Sequence, residues 1–478
     1  MKTFQKISFK LAFLTLFCIA GCREKDVNTL GDLLGDKNSV NEWVYATMQD
    51  GYFWYKEMPA QSKLDARAEP DAYFENLVFN RKTHDRFSMI TPDFEATQQQ
   101  FNGVTKAFGI HYMLGFIDSG KSNIAAFLSH VSNGSPAQKA GLQRGDIIIK
   151  VNGTQLTEDN YAELLSAESI RVTMGKVNGE VIESVGQEVS LTRGQIAESP
   201  IAFSKIITKQ NRKIGYLVYT QFVPGTDADK AKYDNELRNI FADFGKAGIQ
   251  ELVLDLRLNG GGYLSSAVTL GSLVVSNYSA SKVFYKEQWN DKYIKYWQEK
   301  NGADALTYKF ANEPSNIGNR LNRVFVLTSN GTASASELII NGLKPHMSVI
   351  TIGDNTAGKN LFGSLIGDEK KRWKYGLYVM LGQTVNANGD SDYGTVDGIT
   401  PTQAIDDSNV PFLPFGDENE TLLHAALTQM GVTTRNPARM AGKRQVQRTV
   451  RQSLRDTPAA WNGLMIRDNG EALPLPIQ

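Results

Sequence analysis

Three short stretches of this 478-residue chain carry side chains able to move a proton or hold an oxyanion. Residues 331–337 read GTASASE, a run of small residues ending in one acid. The apolar residues Val324 to Leu327 predict a strand running into Asn330-Gly331, and Leu338, Ile339 and Leu343 mark a helix directly after it. Ser334 therefore falls at a strand–turn–helix junction. The free N–H groups and dipole of a helix start favour an alkoxide or a developing oxyanion there. The same residues also spell S-x-x-E, a capping box in which Ser334 and Glu337 satisfy orphan amides. Alone, the segment reads more readily as a cap than as a nucleophile.

A serine nucleophile needs a base. None of the five histidines, His84, His111, His130, His346 and His424, lies in a recognisable triad motif, and no G-x-S-x-G elbow is present. Lysine can serve where burial keeps it neutral. Lys359 closes the loop GDNTAGK (353–359), which follows the apolar strand 349–352. That loop also matches a phosphate-binding G-x4-G-K, but Asn360 replaces the magnesium-binding Ser/Thr and a strand-like LFGSLIG follows where a helix is needed. Ser279-Ala-Ser-Lys282 matches S-x-x-K, yet it lies in a polar stretch without a partner KTG. The third stretch, LVLDLRLNGGG (252–262), is a buried-type strand ending in bare backbone amides. Such amides sit where α/β sheets hold ligands and could form an oxyanion hole.

Several elements must position these groups. Residues 40–90 are helix-patterned and rich in aromatics (Trp43, Tyr45, Tyr52, Phe53, Trp54, Tyr73, Phe74), which predicts core packing rather than ligand binding. Then SNGSPAQKAGLQRGDIIIKVNG (132–153) gives a short helix opened by Ser135-Pro136, a glycine cap, the strand 147–151 and an Asn152-Gly153 hairpin turn. From about residue 213 strands alternate with helices, among them an amphipathic helix over 230–247, which predicts parallel βαβ units. Beyond about residue 431 the chain turns basic and polar, and is read as a loosely docked tail.

Lys+Arg and Asp+Glu each number 51, so no basic excess points to nucleic acid. The only cysteines are Cys18 and Cys22, which excludes disulfides and thiol chemistry from the body of the protein. Three lysines precede the apolar run 11–19, too short for a stable membrane span but suited to a secretory signal. Ile19-Ala-Gly-Cys22 resembles a bacterial lipobox, implying lipidation of Cys22. The expectation is export and lipid anchoring to a bacterial envelope membrane, the outer membrane in particular.

The order of parts is itself informative. The 132–153 pattern resembles a PDZ domain, whose carboxylate-binding loop would fall on Phe108, Gly109 and Ile110. Together with LVLDLRLNGGG, VFVLTSNGTASASE, IGDNTAGK and the late GITP (398–401), residues 100–410 resemble the carboxyl-terminal processing (tail-specific) serine peptidases. The resemblance implies a crotonase-like or ClpP-like core. It implies Ser334 as nucleophile, Lys359 as general base, an oxyanion hole from amides of Gly261 or Gly262 and Ala335, and support from Glu337 and Thr356. Many relatives carry a glutamine where this chain has Gly363, and an acid near Lys344-Pro345 that is absent here, so Thr356 or Ser364 is expected to orient the lysine. The expected multidomain α/β organisation is a signal peptide (1–21), tether (22–38), helical unit (39–100), β-rich PDZ domain (101–200), peptidase core (201–430) and tail (431–478). Substrates would be proteins or peptides, with no metal or cofactor required. The rival expectation is a catalytically inactive peptidase-like protein that only captures peptides. Oligomeric state is not legible.

Overall fold

The computed structural model describes residues 37–118, 120, 122–179, 181–432, 449–452 and 463–468. The centre is a six-stranded sheet in the order Ile201–Lys209, Arg212–Tyr219, Glu251–Asp255, Arg323–Thr328, Ser348–Gly353, Gln403–Ala404. The first pair is antiparallel and every later pair parallel, as the alternating pattern predicts. Successive side chains of a strand point to opposite faces. Leu252, Leu254, Val324 and Val326 thus join one apolar cluster with Leu237, Phe241 and Phe244 of the helix Lys232–Ala247. Val253, Phe325 and Leu327 join another under the helix Thr421–Gln429. Burial on both faces is why these strands read as continuous apolar runs.

A second sheet lies beside the first, in the order Gly261–Tyr263, Leu464–Ile466, Leu361–Gly367, Gly376–Val385, Val283–Trp289, Thr307–Lys309. The helix Lys37–Gly51 buries Val40, Val44 and Met48, and Tyr52 directly after it, in the same cluster as the core helices, so the aromatics are packing residues. Strand Met89–Thr91 pairs with Gly376–Tyr378. The N-terminal helices therefore share one core with the α/β unit.

The PDZ-like unit has its own apolar cluster and an antiparallel sheet of Ile110–Phe116, Ile124–Val131, Ile147–Val151, Ser169–Asn178 and Val181–Thr192. Asn152 and Gly153 take φ of 52° and 79°, the left-handed pair a tight hairpin demands. Arg144, in the turn before Ile147–Val151, docks this unit on the core. Its Nε donates to Leu413 O at 2.8 Å, Nη2 reaches Glu420 at 3.3 Å, and its guanidinium stacks on Phe412 and Phe415.

Beneath that contact Arg257 is buried among Asp255, Asp407 and Glu420, with hydrogen bonds of 2.6–2.9 Å to all three. Burial pushes the Asp407 carboxyl up to about 6, even beside Arg257. Removing one partner of a buried ion pair strands the others at a cost of about 3–5 kcal/mol. Arg257→Met should lower the urea midpoint accordingly, and an unchanged midpoint would show that the acids are solvated.

Candidate active site

Ser334 ends the turn from Arg323–Thr328 into the helix Ala335–Leu343. Its backbone stands at φ 64°, ψ −114°, a region that strains a residue with a Cβ by about 1–3 kcal/mol. Such strain persists where neighbours over-determine it, and Glu337 is the neighbour. One carboxylate oxygen accepts from Ser334 N–H at 2.7 Å and Lys359 N–H at 2.8 Å. The other accepts from Thr356 Oγ1 at 2.5 Å and Gly358 N–H at 2.8 Å. Ser334 and Glu337 stand in capping-box register, but Oγ is not aligned for the reciprocal bond. Ser334 Oγ is buried with no hydrogen-bond partner.

The glycine turn closes over the serine. A Cβ at Gly261 would lie 2.7 Å from Ser334 Cβ, and one at Gly262 would lie 2.1 Å from Phe222 O. With φ of 104° and 140°, both positions require glycine. Gly261 N–H donates to Asn259 Oδ1 at 2.9 Å, so that amide is already engaged. Ala335 opens the helix, where a first-turn amide has no intrahelical acceptor.

Lys359 is fully buried. Burial lowers its pKa to about 7 against the opposing pull of Asp85 and Glu337. Its Nζ donates to Tyr378 Oη at 3.1 Å and to the carbonyl of Gly463, and lies 4.7 Å from the Phe87 ring centre. Tyr378 is thus the side chain that holds the ammonium, in place of the expected Thr356 or Ser364. Thr356 instead donates to Glu337 and accepts from Ile399 N–H at 2.7 Å. Ser364 lines a cavity of about 1,120 Å³ between the N-terminal helices and the strand Leu361–Gly367. With Nζ turned to Gly463, Ser334 and Lys359 are joined through Glu337 and not by a direct hydrogen bond. Loop 354–358 delivers its Gly358 N–H to a carboxylate and not to an open cradle, which removes the phosphate-loop alternative.

Two parts of the site escaped the sequence reading. Residues 85–88 wall it in: Asp85 accepts from Tyr52 and from the amides of Phe87 and Ser88, while Arg86 clamps the carbonyls of Ala357, Gly358 and Thr395. The polar run HDRFS (84–88) after the aromatic helices was the available signal. The other is the tail. Leu464–Ile466 lies parallel to Gly261–Tyr263, and Leu464 N–H donates to Gly260 O at 3.0 Å. Thr449–Gln452 lies antiparallel to Ile110–Phe116.

Phe108, Gly109 and Ile110 stay with the PDZ-like unit, outside the serine–lysine cluster. Phe108 is buried in that unit's core, and Gly109 at φ 79° passes against Ser135. Cys22 lies outside the described residues. Among the described residues no helix is long and apolar enough to cross a membrane.

Burial likewise raises the Glu337 pKa, to about 7. Glu337→Gln would present an NH2 to two of the four donors. Leaving buried donors unpaired costs about 1–3 kcal/mol each, so the two would loosen the turn by about 2–6 kcal/mol, and both the melting temperature and the turnover of the variant should fall. Unchanged turnover in that variant would show that the clamp is dispensable.

The model of peptidase family S41 matches residues 213–405, that of the S41 N-terminal domain matches 39–89, and a PDZ domain model matches 128–174. A CtpA-like serine protease of Staphylococcus haemolyticus is 27% identical over 253 residues, covering 50% of this chain and 44% of that protein. A chloroplastic C-terminal processing peptidase of Tetradesmus obliquus is 25% identical over 245 residues, covering 49% and 47%. The chain thus spans less than half the length of these curated relatives. A crystal structure of an S41 protease from Bacteroides fragilis superposes with TM-score 0.69 at 30% identity, covering 82% of this chain and 98% of that one. With three successive units matched and that structure spanned almost end to end, the chain belongs to peptidase family S41.

Proposed function

We propose that the protein is an exported, lipid-anchored serine endopeptidase that cuts proteins or peptides through a Ser334–Lys359 dyad. The observation that carries this is Lys359: a fully buried amine with a pKa near 7, bound through Glu337 to the turn that presents Ser334. A group poised near the working pH is suited to take and return a proton. Neutral Nζ removes the Ser334 Oγ proton as Oγ attacks the substrate carbonyl carbon, and the carbonyl oxygen takes the electron pair. The amides of Gly262 and Ala335 stabilise that oxyanion. Protonated Nζ then gives its proton to the leaving amine as the C–N bond breaks. Water, deprotonated by Nζ, releases the acyl group and restores Ser334.

The PDZ-like unit would hold the substrate's C-terminal stretch as an added strand on Ile110–Phe116, beside Phe108 and Gly109. Cys22 would carry the lipid, so Cys22→Ser should release the protein from the membrane fraction. The second reading, capture without cleavage, is favoured by the partnerless Ser334 Oγ. A fluorophosphonate probe separates the two. Labelling mapped to the peptide containing Ser334, together with new termini in an unstructured protein substrate, is expected. Neither labelling nor cleavage would leave the capture reading.

A further inference from the structure

Where the PDZ-like unit joins the core, His111, His130 and Glu198 converge from two neighbouring strands and the segment entering the central sheet. His111 and His130 are cross-strand partners. The Nε2 atoms of both lie 3.6 Å from one oxygen, Glu198 Oε1, and all three donor atoms fall within 4.8 Å of one another. Ser132 Oγ bridges the group, 2.8 Å from that oxygen and 3.1 Å from His111 Nε2. The cluster is sheltered: His130 is 5% exposed, and its ring packs near Phe415 of the core.

We propose that His111, His130 and Glu198 form a binding site for a divalent transition metal of the zinc class. Tetrahedral zinc with bonds of about 2.0–2.1 Å needs donor atoms ~3.3 Å apart, so the two His–Glu separations require only small rotations. Two imidazoles and one carboxylate suit zinc and disfavour calcium or magnesium. The fourth position falls to Ser132 Oγ or water. Nearby Arg144 is turned toward the core, where it pairs with Glu420 at 3.3 Å. Because the ligands span the joint, the ion would fix the PDZ-like unit against the core.

The test uses the whole tag-free protein stripped with a chelator. Competition with a chromogenic zinc indicator should give one tightly held Zn2+ per chain. Co2+ should give the intense visible absorption of a tetrahedral site. His111→Gln should weaken binding by more than the 10–100-fold typical of losing an outer-shell partner, and Glu198→Gln should do the same. Zinc should raise the melting temperature of the wild type and of neither variant. No zinc binding by the wild type, or equal binding by both variants, overturns the proposal.

The tail carries a second, independent inference, which rests on the peptidase reading. Leu464–Ile466 pairs with Gly261–Tyr263, and Gly463 O takes Lys359 Nζ. Thr449–Gln452 runs antiparallel on Ile110–Phe116, in register Gln452 with Met113, so its C-terminal end points toward residues 108–110. We infer that the tail strands Thr449–Gln452 and Leu464–Ile466 occupy the PDZ-like edge and the edge beside the glycine turn, and must leave before substrate enters. Gly463 stands at φ 101°, and its Cβ position lies 3.1 Å from Lys359 Cδ, so Gly463→Val should eject the strand. Leu464→Asp is a second route. Either variant should react with the fluorophosphonate probe several-fold faster than wild type, and a synthetic peptide of residues 463–468 should slow it again. Equal labelling of folded wild type and both variants overturns occlusion. Absence of labelling in every form instead overturns the peptidase reading on which it rests.

Discussion

Replacing Ser334 by alanine should abolish peptide cleavage and probe labelling, a loss of roughly 10,000-fold or more, since removing a covalent nucleophile costs about that much. Folding should survive, because the hydroxyl makes no hydrogen bond and the Glu337 clamp binds the Ser334 N–H and not its side chain. Alanine retains a Cβ at φ 64°, so it retains the backbone strain as well. Ser334→Gly should be equally inactive yet more stable than wild type by about 1 kcal/mol, as the left-handed conformation suits glycine. Residual turnover in either variant with the wild-type cleavage pattern would sink the nucleophile assignment. Equal stability of the glycine and alanine variants would mean that the turn is not strained.

Lys359→Met should be the second severe loss. Removing a general base costs about 100- to 10,000-fold, and the loss should appear in kcat with little change in KM. The wild-type kcat/KM should fall as pH drops through about 7, where Nζ gains a proton and can no longer accept one from Ser334. Stability should rise with pH as well, over a higher window. The folded-state pKa of Lys359 is depressed from 10.5 to about 7, so the unfolded chain binds more protons between those values. Wild-type stability from this group therefore rises with pH across that window. Methionine removes the burial cost, so the variant should be the more stable protein at and below pH 7, with the gap closing toward pH 10. Glu337 contributes with the opposite sign: its raised pKa favours the fold at low pH, and that contribution is lost as pH rises from 4.5 through about 7. Lys359→Arg should be inactive and also destabilised, because a guanidinium keeps its charge in the same dry pocket. An active Lys359→Met enzyme would require another base.

Much of the architecture was legible because the signals are local. The strands at 251–255 and 323–328 are buried on both faces and 348–353 is buried over its second half, so all three read as apolar runs, and the helix Lys232–Ala247 shows the 3.6-residue stripe. The strand Ile147–Val151 and the left-handed Asn152-Gly153 pair were equally visible, because one face, one turn and one glycine cap fix each of them. The second sheet was not. Its strands come from residues 89–91, 283–289, 361–385 and 464–466, and no periodicity links edges so far apart in the chain.

The candidate site divides the same way. Residue types and spacing singled out Ser334, Glu337, Lys359 and the glycine turn, since a helix start, a buried-strand loop and consecutive glycines each leave a mark on a few adjacent residues, and the family resemblance added Thr356. Only the tertiary structure decided what surrounds them. Tyr378 rather than Thr356 or Ser364 holds Lys359, Asn259 engages Gly261, and residues 85–88 close the pocket. Residues 85–88 act on the loop at 357–359 through desolvation and hydrogen bonds across about 270 residues. The Asn259–Gly261 bond is local but needs the folded turn. The same burial that turns an ordinary lysine into a base near neutrality is a property of the packed fold, and no stretch of sequence contains it.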